Sequence, residues 1–157
     1  MGTGAIRDPA KAERVRKYGE VFTPPEIVTL MCDSLEKEAP GAFAVGTTFL
    51  EPTCGEGVFV LEILRRKFAN CQKRADYTEA LRSVYAMELQ ADNVQRTIEA
   101  VTALCRETFR PTREEEALIR DHIIQADALK VMRMIADLNE RDAGDREGRP
   151  YGREAEP

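Results

Sequence analysis

The sequence has no Cys-x-x-Cys pair among its four cysteines, Cys32, Cys54, Cys71 and Cys105, and its one histidine is His122. Thiols and an imidazole spaced in this way offer neither a structural zinc site nor a disulfide framework, and they fit a reducing, cytoplasmic compartment. An excess of positive charge is also missing: Lys+Arg 23 against Asp+Glu 28 leaves a net charge of -5 and a pI of about 5.1. That balance gives no global attraction to nucleic acid, so any DNA contact has to be local. No apolar run approaches the ~18 residues that a membrane span needs, and no basic stretch leading into an apolar core marks a targeting leader. At 157 residues the natural division is one domain with a core of moderate size.

What is present is a repeated alternation. Residues 1–18 are a charge-rich, flexible lead-in closed by the break at Gly19. In "TPPEIVTLMCDSLEKEA" Thr23 stands where a helix N-cap belongs, with Glu26 three residues on, and Ile27, Leu30, Met31 and Leu35 recur at helical spacing as an apolar face. The β-branched and apolar "TTFLEP" predicts a buried strand stopped by Pro52, and "GVFVLEILRRKF" a helix. A short helical piece within 69–83 leads to a second strand, "VYAMEL", and to a helix carrying Val94, Ile98, Val101 and Leu104. Thr112 caps a further helix, His122–Gln125 forms a third strand, and a last helix runs through Leu138. Strands alternating with helices predict an α/β fold with three parallel strands near 48–51, 84–88 and 122–126 in a domain spanning 19–139. From Asn139 the chain is almost without apolar residues, which predicts a disordered tail over 140–157.

Chemistry concentrates at the strand ends. In an open α/β sheet ligands bind beyond the carboxyl ends of the strands, where glycines let backbone approach and helix N-termini offer N–H groups. Glu51, Glu88 and Asp127 each fall at such an end, and Gly55 and Gly57 follow the first. Ionised carboxylates only accept hydrogen bonds, so the three suit donors: a cationic amine, ribose hydroxyls and an exocyclic amine. They would repel a bare phosphate. The implied ligand is a nucleoside carrying a positively charged amine.

The ordered segments "GEVFTP", "FLEPTCGEGVF", "YAMEL" and "QADAL", between about Tyr18 and Leu129, resemble the N-terminal part of the adenine-N6 DNA methyltransferases of restriction-modification type. That family uses S-adenosylmethionine on a Rossmann-like class I methyltransferase fold. The resemblance implies that Phe22 and Thr23 hold the cofactor's methionine carboxylate. Glu51, Thr53, Cys54, Gly55, Gly57 and Phe59 would form the glycine-rich motif, Glu88 and Leu89 the ribose-binding step, and Asp127 and Ala128 the adenine-binding step. The chain departs from the family in having no Asn/Asp-Pro-Pro-Tyr segment, whose polar residue and aromatic ring take the flipped base. "GRPYG" at 148–152 lacks the Asn and has no strand before it. With about three of the family's seven strands, the fold is a truncated one, with a cofactor site, no visible catalytic residue and a sheet edge that another chain, or a second copy of this one, would cover.

Plainer readings stand beside these. Glu51 is also suited to a helix dipole, Glu88 and Asp127 to capping the helices that follow, and Cys54 to a small turn residue. Thr23 serves as a helix cap under either reading, while Phe22 and Phe59 are as suited to the core as to a cofactor. Two functions follow from the sequence: a methyltransferase part that needs a partner for catalysis and DNA reading, or a non-catalytic binding or interaction module derived from one.

Overall fold

A computed structural model describes residues 23–147, together with 13, 15 and 16. Nine elements follow one another from Pro25: α1 (Pro25–Glu38), β1 (Phe49–Glu51), α2 (Val58–Ala69), α3 (Arg74–Arg82), β2 (Val84–Glu88), α4 (Ala91–Thr108), α5 (Arg113–His122), β3 (Ile123–Gln125) and α6 (Ala128–Glu147). The three strands form one parallel sheet in the order β1-β2-β3. The architecture is therefore α/β, a parallel sheet with flanking helices, as the alternation in the sequence predicts.

Right-handed crossovers that advance in one direction along a sheet place their helices on one of its faces. Burial agrees with this. Val84, Ala86 and Ile123 point to one face and are buried with Val60, Ile63 and Leu64 of α2, Ala80 and Leu81 of α3, and Val101 and Cys105 of α4. Register places Leu50 beside Tyr85, and Ile124 beside Met87, so by the two-residue alternation these four share the opposite face. There Leu50, Tyr85 and Ile124 remain 47%, 42% and 44% exposed. Met87 on that face is buried, so the sheet is covered fully on one side and left open on the other around Leu50, Tyr85 and Ile124.

Two buried ionic residues tie the covered side together. Lys67, fully buried on α2, donates from Nζ to the carbonyls of Ala44, Val45 and Thr47 at 2.8, 3.1 and 2.6 Å, fixing the loop ahead of β1. Burial pulls its pKa down to about 8. Glu115 of α5 receives both terminal nitrogens of Arg74 from α3, at 2.7 and 2.5 Å, the Thr78 hydroxyl and the backbone N–H of Thr112. The Arg74 bonds, ahead of the others, hold its carboxyl down at about 2. Thr112 caps α5 as its sequence position predicts, its hydroxyl accepting from Glu115 N at 3.2 Å.

Several sequence expectations need correction. The N-cap of α1 is Pro24 without a side-chain cap, not Thr23, because the two prolines shift the start of the helix. The face of α1 that is buried is the narrow pair Val28 and Cys32, while Ile27, Leu30, Met31 and Leu35 are exposed. Spacing identified an apolar stripe, but α1 touches α2 only along its margin. His122 ends α5 rather than beginning β3. The last helix continues past Leu138 to Glu147, where Glu140, Arg141, Ala143, Arg146 and Glu147 favour a helix and outweigh Asp142, Gly144 and Asp145. Residues 140–147 of the expected disordered tail are thus helical, and 148–157 lie outside the described residues, as does most of the lead-in. Among the described residues no helix is long and apolar enough to cross a membrane.

Candidate functional site

The turn after β1 is built by its two glycines in different ways. Gly55 has φ +55° and Gly57, the N-cap of α2, φ +83°, both in the left-handed region that side chains disfavour. A Cβ on Gly57 would lie 2.6 Å from Thr97 Cγ2 and 2.9 Å from its Oγ1, so the missing side chain makes room for α4. A Cβ on Gly55 would meet nothing within 4 Å. Gly57 serves packing; Gly55 presents bare backbone to open space.

Three hydrogen bonds lock this turn to the neighbouring strand and helix. Cys54 N donates to Met87 O at 2.9 Å, Thr97 Oγ1 donates to Gly55 O at 3.0 Å, and Gly55 N donates to Glu88 Oε2 at 2.9 Å. Glu88 Oε1 accepts from Gln90 N at 2.8 Å. The carboxylate therefore clasps the glycine turn on one side and the start of α4 on the other. An ionised carboxylate has about four acceptor positions, and two are used here. Thr97, buried on the inner stripe of α4 with Asn93, Val101 and Cys105, is a residue of this site that the sequence reading missed. A polar side chain at the i+4 spacing of that stripe was the available signal.

The other acids occupy successive positions along the carboxyl edge. Glu51 is level with Ala86 and Glu88 with Gln125, so Glu51, Glu88 and Asp127 step diagonally across β1, β2 and β3. Glu51 Oε1 accepts from Thr53 N at 3.1 Å, closing a local turn rather than meeting a helix end. Asp127 Oδ1 accepts from Lys130 N at 3.2 Å and its Oδ2 lies 3.6 Å from Lys130 Nζ, the capping role that its position before α6 allows. Leu89 is exposed, and its carbonyl accepts from Gln125 Nε2 at 3.0 Å. Ala128 begins α6 beside Asp127.

The structure thus brings Glu51, Thr53, Cys54, Gly55, Gly57, Glu88 and Leu89 to one end of the sheet, with Asp127 and Ala128 beyond the third strand. Phe59 packs partly buried against the core. Phe22 lies outside the described residues, and Thr23 is described only as non-helical backbone ahead of α1. Cys54 is buried in the turn with its Sγ 3.9 Å from Thr97 Oγ1. Burial pushes its pKa up to about 11, so it is an inert turn residue rather than a nucleophile. Glu56 pairs with Arg96 of α4 at 2.7 Å, a partly exposed brace over the same turn.

A separate cavity of about 550 Å³ opens between α3 and α5, lined by Arg74, Thr78, Arg82, Thr112, Glu114 and Leu118 among others. Arg74 and Thr78 are there committed to Glu115, which marks a helix-joining strut rather than a receptor. Among the described residues no cluster of His, Cys, Asp or Glu could hold a metal ion. Compared with protein-family models, with curated proteins and with solved structures, the chain matches none. The site has to be read from its own chemistry.

Proposed function

We propose that the chain is the S-adenosylmethionine-binding part of a DNA adenine-N6 methyltransferase of restriction-modification type, inactive by itself and completed by a partner chain. The observation that carries this reading is the clasp of Glu88 on the N–H of Gly55. It sets an open glycine backbone and a carboxylate with spare acceptor positions side by side at the carboxyl end of a parallel sheet.

In this reading Glu88 accepts from the ribose hydroxyls, with Leu89 beside it. The exposed backbone at Gly55 lets the methionine part of the cofactor approach, and Glu51 faces its amine. Asp127 and Ala128 border the adenine, while Phe22 and Thr23 flank the methionine carboxylate. The open space beside Gly55 and the acceptor-only acids fit a cationic nucleoside and disfavour a polyphosphate. The cofactor would supply an electrophilic methyl group on its sulfonium. The residues that accept the target adenine have no counterpart in this sequence, so the partner brings them together with the DNA-reading surface. The net charge of -5 is in keeping with DNA being held elsewhere.

A second reading, a non-catalytic binding or interaction module, is favoured by one specific feature. Every acid at the edge already has a backbone N–H partner, Thr53 for Glu51, Gly55 and Gln90 for Glu88, and Lys130 for Asp127. Calorimetric titration with S-adenosylmethionine and with S-adenosylhomocysteine separates the two. Saturable binding of both supports the methyltransferase reading, and no heat at millimolar ligand overturns it.

A further inference from the structure

We propose that α6 is a strap that folds back over the open face of its own sheet, seating its apolar stripe on the exposed Leu50, Tyr85 and Ile124 around Met87, which is already buried. This stands apart from the cofactor reading and rests on the fold alone. Parallel sheets are stable when both faces are covered, and here α2 to α5 all serve one face. The opposite face has no charged residue in its register rows: Leu50 beside Tyr85, Met87 beside Ile124.

The same chain holds a surface to match. α6 makes no extensive contact with another described element, yet Ala128, Val131, Met132, Ile135 and Leu138 recur at three- and four-residue spacing. Of these Met132, Ile135 and Leu138 are exposed. A helix of twenty residues is about 30 Å long, ample to cross three strands, and in water a helix gains most of its stability from packing such a stripe. Tethering decides the occupant. α6 leaves β3 through Ala126 and Asp127 alone, and β3 itself carries Ile124, so the stripe is held beside the face it would cover. A short tether supplies a local concentration of about millimolar, well above that of a second molecule in dilute solution. The apolar face of α1 has no such link to the sheet.

The chain contains no tryptophan, so Leu50→Trp places a single reporter on the bare face. With the strap closed, its emission is blue-shifted and acrylamide quenching is several-fold weaker than in the Leu50→Trp, Ile135→Glu double variant, and the difference persists on dilution to monomer. Identical emission and quenching in the two proteins would overturn the proposal. Protection that vanishes as a dimer dissociates would overturn it too, because a second copy would then be the cover. Hydrogen exchange on the unmodified chain is independent of both substitutions. Amides of residues 131–138 slowed at least about 100-fold over an unpacked helix support closure, and exchange at the unpacked rate refutes it.

Discussion

At the scale of single residues, the site is organised by what two side chains do to one glycine turn. Glu88 accepts the N–H groups of Gly55 and Gln90, so Glu88→Ala strands two donors as well as removing the proposed ribose acceptor. Stability falls by about 1–3 kcal/mol in chemical denaturation, and calorimetry reads an affinity for S-adenosylmethionine at least about tenfold weaker. Unchanged affinity in the folded variant would move the nucleoside elsewhere. Gly57 tests the opposite constraint. Gly57→Ala meets Thr97 Cγ2 at 2.6 Å and carries a positive φ, at a cost of about 2–3 kcal/mol. Thr97→Ser removes that methyl and keeps the hydroxyl that donates to Gly55 O. The double variant is therefore less destabilised than the sum of the singles, which a double-mutant cycle measures. Strict additivity would show that the Thr97 methyl does not set the cost.

At the scale of elements, α3 and α5 are joined through Glu115. Its folded pKa, about 2 against an ordinary 4.5, lies low because Arg74 and then Thr78 and Thr112 bind the ionised form. The stability this contributes is present above pH 4.5 and is lost as pH falls from 4.5 through 2. Its size is at most about 3 kcal/mol, reduced by solvent screening because Arg74 is half exposed. Glu115→Gln is therefore less stable than the unmodified chain at neutral pH, and its stability curve is flatter between pH 4.5 and 2. Parallel curves for the two proteins would assign the acid sensitivity to other carboxylates.

At the scale of the whole molecule, the sheet ends in two edge strands, β1 and β3, and the strap would leave those edges open. Unpaired strand edges recruit other chains. Light scattering on the purified chain accordingly returns a mass above the 17.7 kDa of one copy, and assays on adenine-containing DNA detect no methyl transfer until a chain supplying the missing segment is added. A stable monomer refutes the first expectation, and methylation by the chain alone refutes the second.

Sequence by itself determined the order of elements and which acids and glycines stand at the carboxyl ends of the strands. The alternation of β-branched runs with helical periods, Pro52 stopping β1, and an acid closing or following each strand are local signals, written in neighbouring residues. The Thr112 cap was legible for the same reason. Tertiary structure alone decided which apolar residues are inside. Ile27, Leu30, Met31 and Leu35 have the same spacing whether or not anything packs on them, so periodicity cannot reveal that α1 offers them to solvent. It equally decided why each glycine is there. Thr97 lies forty residues beyond Gly57 in the chain, and only the fold brings its methyl against the place where a Cβ would stand. That Glu88 reaches back to Gly55 N likewise depends on the parallel pairing of β1 with β2, a contact between residues far apart in sequence that no local pattern encodes.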